Sequence, residues 1–139
     1  GRRNFELNGL DAGAHDFIFG DAFDWLRRLR KKGRMFDAIV LDPPTFSQSK
    51  EHGRFQAERD YGRLAEAALA LLAPAGVLLA SSNAARLGPE QFLETLHAAV
   101  HAAGRSVERE HYVAQPPDFP ITREEQPQPT TEEQEARAE

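Results

Sequence analysis

The stretch VLDPPTFSQSK, residues 40–50, sets a carboxylate at the end of an apolar run and follows it at once with two prolines. Each proline ring fixes its own φ and withholds an N–H donor. The carbonyls around Asp42, Pro43 and Pro44 keep their capacity to accept. Such a turn is a rigid acceptor array, suited to holding an amino group or the polar edge of a base. Phe46, two residues on, supplies a flat face on which a base can stack. The tripeptide alone describes equally well an ordinary proline turn that closes a strand.

Two other chemistries place an acid at a strand end. In P-loop nucleotidases it holds a metal, but no G-x-x-x-x-G-K-[ST] string occurs in the chain. In receiver domains it accepts a phosphoryl group, but a proline directly after the acid is awkward there and no acidic pair follows a first strand. His97 and His101 stand four apart, as a metal pair can. They lack the intervening Glu of H-E-x-x-H and a third ligand, so an exposed helix face accounts for them. The basic run from Arg27 to Arg34 reads as a solvated helix end or as a contact to RNA phosphates. No metal site is expected.

These residues need elements to hold them. NFELNGLDAG reads as a helix end broken by Gly9 and Gly13. DFIFGD reads as a short strand stopping at Gly20-Asp21. FDWLRRLRKKG has Phe23, Leu26 and Leu29 at helical spacing, with Asp24 in its first turn and a basic last turn before Gly33. FDAIVLD is a near-continuous apolar run, expected for a strand covered on both faces. After a polar stretch, a long helix carries Tyr61, Leu64, Ala68, Leu71 and Leu72 on one side and is expected to stop at Pro74 and Gly76. GVLLASSN is a second buried strand. A helix with Pro89 in its first turn runs to Gly104, and RSVEREHYV is a weaker strand candidate. AQPPDFPI, with Gln115, Pro116, Pro117 and Asp118, is a stiff loop that either shapes a substrate side or merely reverses the chain. The alternation predicts an α/β fold, a parallel sheet with helices on both faces. Ligands of such sheets sit beyond the carboxyl ends of the strands. Gly20-Asp21, Asp42-Pro43 and Ser81-Ser82-Asn83 would then share one rim, and Asp21, Asp42 and Asn83 one hollow.

At this point the strings FDAIVLDPPTFSQSK, GVLLASSNAARL, YVAQPPDFPITREE and RRNFELNGLD…HDFIFGDAFDWL together resemble the catalytic domain of class I S-adenosylmethionine-dependent methyltransferases, in the group that modifies large-subunit ribosomal RNA. The resemblance covers roughly residues 2 to 125 and implies a Rossmann-like methyltransferase fold. It implies that Asp21 and Ala22, with Phe23 nearby, contact the adenine of S-adenosyl-L-methionine. Asp42, Pro43 and Pro44 would lie between cofactor and target base, with Asp42 serving both. Thr45, Phe46, Ser47 and Lys50 would face the RNA, Lys50 toward a phosphate, with Asn83 beside them. The chain departs from the family in having no G-x-G turn for the methionine half of the cofactor and no final apolar strand after TREE. The expected architecture is therefore a partial doubly wound, mostly parallel sheet lacking its first strands and last strand. Exposed apolar edges and low stability would follow. A cut enzyme and a non-catalytic remnant, or an RNA-binding or assembly module with the same half-fold, are the two classes left open.

Composition bounds the rest. The 139 residues suit one domain, here residues 1–121, with a polar tail at 122–139 expected to be disordered. That tail carries much of the net charge of -5, a balance unlike that of a standalone nucleic-acid binder. No apolar run is long enough to span a membrane. No signal peptide is expected at the start of the chain. There is no cysteine, which fits a reducing compartment and an expected cytoplasmic location. It also disfavours methylation at a pyrimidine C5, which normally uses a thiol nucleophile. Transfer to a purine nitrogen, guanine foremost, is the expected reaction. The sulfonium is already activated, so alignment does most of the work.

Overall fold

The computed structural model describes residues 1–49 and 53–114. Contacts divide the chain into two units, Gly1–Ser106 and Val107–Glu139. The first contains helix α1 (Arg2–Leu7), a single 3-10 turn (Ala12–Ala14), α2 (Ala22–Lys31), strand β1 (Phe36–Leu41), β2 (Phe46–Ser49), β3 (Gly53–Gln56), α3 (Ala57–Leu69), β4 (Leu72–Ala80) and α4 (Pro89–Ala102). In the second unit, the described residues 107–114 hold no helix or strand.

β1 and β4 pair in parallel, with Ala38 opposite Val77, Ile39 opposite Leu78, Val40 opposite Leu79 and Leu41 opposite Ala80. A parallel pair needs a crossover, and α3 supplies it. Its buried residues Tyr61, Leu64, Ala65, Ala68 and Leu69 recur at the spacing of one helix face. They join Leu41, Leu72, Ala84, Leu87 and Ala99 in one core, against which Phe23 and Leu26 of α2 and Phe92 and Leu96 of α4 also pack. α3 and α4 meet closely at Gly62, where an added Cβ would lie 3.3 Å from Thr95 Cγ2.

Several expectations are corrected. The long helix ends at Leu69, and Leu72, Pro74 and Gly76 belong to β4 instead. The strand's first residues are irregular: the register shifts between Phe36 and Ala38, and Ala75 has φ +57°. Arg105 stabilises this bend, its guanidinium donating to the carbonyls of Leu72 at 2.6 Å and Ala73 at 2.7 Å. Residues 16–19 form no strand, and neither do 105–113, because among the described residues no neighbouring strand offers them backbone partners. Nor is the β1–β4 sheet covered on both faces. Ile39, Leu41, Leu78 and Ala80 face the helices, whereas Val40, Val77 and Leu79 on the other side are 67%, 65% and 55% exposed. The polar stretch after the prolines is an antiparallel hairpin, β2–β3, with Phe46 opposite Gln56 and Ser47 opposite Phe55. Lys50, the 115–121 loop and the 122–139 tail lie outside the described residues. No helix among the described residues is long and apolar enough to cross a membrane.

Candidate functional site

The carboxyl ends of β1 and β4 lie side by side because Leu41 pairs with Ala80. The next residue on each strand is therefore brought into contact: Ser81 Oγ donates to Asp42 Oδ1 at 2.6 Å. The Ser81 amide donates to the Leu41 carbonyl at 2.9 Å, extending the ladder one step past the strands. Below this pair lies Tyr61, wholly buried, whose hydroxyl reaches the carbonyls of Ser81 at 2.9 Å and Leu41 at 3.3 Å. Burial, together with the nearby Asp42 carboxylate, pushes the phenol up to about 12, so it stays protonated and donates. An aromatic alcohol buried at this depth needs such a partner, and its ring packs edge-on against Phe92 at 5.0 Å.

Above the pair the chain turns through Pro43 and Pro44, half-buried and exposed respectively, and Asp42 itself is open to solvent. Thr45 closes the hairpin, its carbonyl accepting from the Ala57 amide at 3.0 Å. Phe46 is 51% exposed and Ser47 is exposed. Asn83, exposed, follows two residues after Ser81, where Ser82 Oγ accepts from the Ala84 amide at 3.2 Å.

Asp21 holds a different corner. It is the N-cap of α2, its Oδ1 accepting from the amides of Phe23 at 2.9 Å and Asp24 at 3.3 Å. The cap leaves Oδ2 as an acceptor and the Ala22 N–H, first of the helix, as a donor. An acceptor beside a donor matches the amino and ring-nitrogen edge of an adenine, so this corner fits the adenine of S-adenosylmethionine. Gly20 leads into the cap with φ +124°, a conformation glycine adopts without penalty. Trp25 braces the turn by donating from Nε1 to the Phe19 carbonyl at 2.9 Å.

A hollow of about 150 Å³ opens beside Asp21 and Phe23. Its other walls are Ser47, Gly53, Arg54 and Phe55 of the hairpin and Arg59, Asp60 and Arg63 of α3. Asp60, 4% exposed, accepts from the Gln56 amide and from Arg59, at 2.9 Å and 2.7 Å to its Oδ2. The Arg59 guanidinium holds the Asp60 carboxyl below its ordinary range, against burial, which acts the other way. Asp42 and Asn83 do not line this hollow. The expected single hollow is thus two places: a strand-end rim with Asp42, Ser81 and Asn83, and a helix-capped corner with Asp21, Ala22, Phe23 and Ser47. Sequence reasoning missed Tyr61 as anything but an apolar stripe residue. The signal was present, since a tyrosine on a buried stripe must satisfy its hydroxyl. It also missed Arg54, Arg59, Asp60 and Arg63, because the segment that forms the hairpin reads only as a polar stretch.

Residues 1–126 match the family model described as S-adenosylmethionine-dependent methyltransferase. The chain is 42% identical over 120 residues to "Ribosomal RNA large subunit methyltransferase I" of Aeromonas salmonicida, a match covering 86% of this chain and 30% of that protein. It is 43% identical over 83 residues to "Ribosomal RNA large subunit methyltransferase K" of Neisseria meningitidis serogroup B, covering 59% of this chain and 23% of that one. The fold is similar to the crystal structure of SMU.776 complexed with SAH: TM-score 0.69, 28% identity, 88% of this chain and 31% of the other. The chain spans under a third of the length of these relatives. With a parallel α/β sheet, a proline turn at the end of β1 and a capped helix that fits an adenine edge, the chain belongs to the family of S-adenosylmethionine-dependent methyltransferases.

Proposed function

We propose that the protein to which this chain belongs transfers a methyl group from S-adenosylmethionine to a guanine nitrogen of large-subunit ribosomal RNA, in the cytoplasm. The observation that carries the reading is the hydrogen bond between Ser81 Oγ and Asp42 Oδ1, which fixes the carboxylate at the mouth of two parallel strands. Asp42 keeps a second oxygen for an amino group. The carbonyls at Pro43 and Pro44 are rigid acceptors for the same base edge. Phe46 offers a stacking face, and Thr45, Ser47, Lys50 and Asn83 are assigned to contact with the RNA. Asp21, Ala22 and Phe23 hold the adenine. The bound cofactor supplies an activated methyl on sulfur; this chain's residues hold the base so that its lone pair points at that methyl. The names of the relatives support an RNA substrate. Nitrogen as acceptor is supported by the Asp42 carboxylate and the proline-turn carbonyls, which suit an amino group or a ring-nitrogen edge.

The test is a chromatographic nucleoside profile of ribosomal RNA treated with the full-length enzyme. Methylated guanosine is the expected product, lost in the Asp42→Ala variant. Methylated pyrimidine carbon as the sole product overturns the assignment.

A further inference from the structure

The hollow at the hairpin has a feature that holding an adenine does not call for. Three arginines line it, with two aspartates among its other walls. Both aspartates are already engaged. Asp21 Oδ1 caps α2, and Asp60 is bonded to Arg59 and to the Gln56 amide, the helix-start contact that ties β3 to α3. Arg59 is engaged too, donating to the Arg54 carbonyl at 2.7 Å. Arg63 is less committed: its side chain is 73% exposed, 3.7 Å from Asp60 Oδ1, and lies over the Phe23 ring at 5.2 Å. Arg54 is exposed on β3 and makes no ion pair among the described residues. Phe23 and Phe55 stand 6.5 Å apart at the same place. The hollow therefore offers two guanidiniums with donors to spare beside aromatic faces, one strand away from the exposed Phe46.

Guanidinium forks match phosphate oxygens, and arginine with aromatic rings is a common pairing for single-stranded nucleic acid. We infer that Arg54 and Arg63 seat a backbone phosphodiester of a single-stranded RNA segment at the β3–α3 wall of this hollow, on the hairpin that follows the Asp42 turn, leaving the Asp21 and Ala22 groups to the adenine. The seat adds register: a phosphate fixed on β3 and α3 sets which nucleotide reaches the strand-end rim. It rests on the reading of RNA as substrate. Arg59 is a positioning residue here, because its donors are spent on Asp60 and the hairpin.

The test uses the full-length enzyme and a fluorescein-labelled single-stranded segment of large-subunit ribosomal RNA, with anisotropy read from about 50 to 200 mM salt. Replacing both arginines with glutamine is expected to weaken binding. The slope of log K against log salt should fall by about 0.7, the share of one lost phosphate contact on a single strand. Replacing both with lysine keeps the slope. Arg2→Gln with Arg3→Gln, an exposed pair outside the hollow, keeps it as well. If the double glutamine variant fails to fold by circular dichroism, Arg54→Gln alone carries the test with a fall in the same direction. An unchanged slope in a folded variant, or an equal fall in the Arg2 and Arg3 pair, overturns the seat. So does displacement of the labelled RNA by millimolar inorganic phosphate at constant ionic strength, which would mark a small-anion site. A parent enzyme that binds no RNA at any salt refutes the RNA reading itself, an outcome visible before any variant is made.

Discussion

Tyr61 joins two strand ends with one hydroxyl, and its position explains why Asp42 is held still. Its oxygen lies within hydrogen-bond reach of the carbonyls of both Leu41 and Ser81, and Ser81 in turn holds Asp42. Tyr61→Phe keeps the ring against Phe92 and removes only this tie. The Ser81 carbonyl loses this donor, while the Leu41 carbonyl keeps the Ser81 amide, so the expected loss is about 1 kcal/mol, measured as a lower urea midpoint. A second expectation concerns alkali. The phenol titrates at about 12 in the folded chain and at about 10 when unfolded. Between those values the unfolded chain releases a proton that the folded one keeps, so stability falls as pH rises through that window. The parent loses stability from about pH 10 upward, and Tyr61→Phe lacks that component. A parent curve identical in shape to the variant's would mean that the hydroxyl is not sequestered.

At the scale of elements, the junction of hairpin and α3 depends on Asp60. Its carboxylate reaches back to the N-cap amide of Gln56, satisfying a donor at the helix start while anchoring β3. Because Arg59 holds the Asp60 carboxyl low, the folded chain stays ionised at a pH where the unfolded chain takes up a proton. The stabilisation is therefore complete above the unfolded value near 4 and is lost as pH falls through the folded one. Asp60→Asn is expected to flatten the acid limb of a stability–pH profile, read by thermal melts from neutral pH downward. At the other end of the site, Asp21→Ala removes the α2 cap and should cost about 1 kcal/mol, while Asp21→Asn should cost less. These elements were unequally legible in the sequence. α2 announced itself through the spacing of Phe23, Leu26 and Leu29, through Asp24 and its basic last turn, and α4 through Pro89 and Gly104. β1 was plain from its apolar run. The hairpin was not, because its strands are short and polar and owe their pairing to the Thr45–Ala57 bond and Asp60 rather than to alternation. Leu71 and Leu72 continued the helical stripe in sequence. In the structure the helix stops, and Leu72 opens β4, bent by Ala75 and held by Arg105. Residues 16–19 look like a strand but have no partner among the described residues, and a strand is defined by its neighbour as much as by its residues.

For the whole molecule, the imbalance between the two faces of the β1–β4 sheet decides its behaviour in solution. Helices α3 and α4 cover one face, while Val40, Val77 and Leu79 form an apolar strip on the other. Both outer edges of this two-stranded sheet are also unpaired among the described residues, and unpaired edges next to exposed apolar side chains invite association. The 139-residue chain on its own should therefore bind an apolar dye such as ANS strongly. It should also elute from a sizing column at a volume that shrinks with rising concentration. Val40 and Leu79 are opposite one another, so Val40→Lys with Leu79→Glu places an attractive cross-strand pair where the apolar strip was thickest. Neither residue belongs to the helix-facing core, so the helices should keep their circular dichroism signal. Dye binding should drop several-fold, and elution should become independent of concentration. If the double variant associates as strongly as the parent, the surface responsible is not this strip, and the exposed Ile18–Phe19 segment becomes the next one to alter.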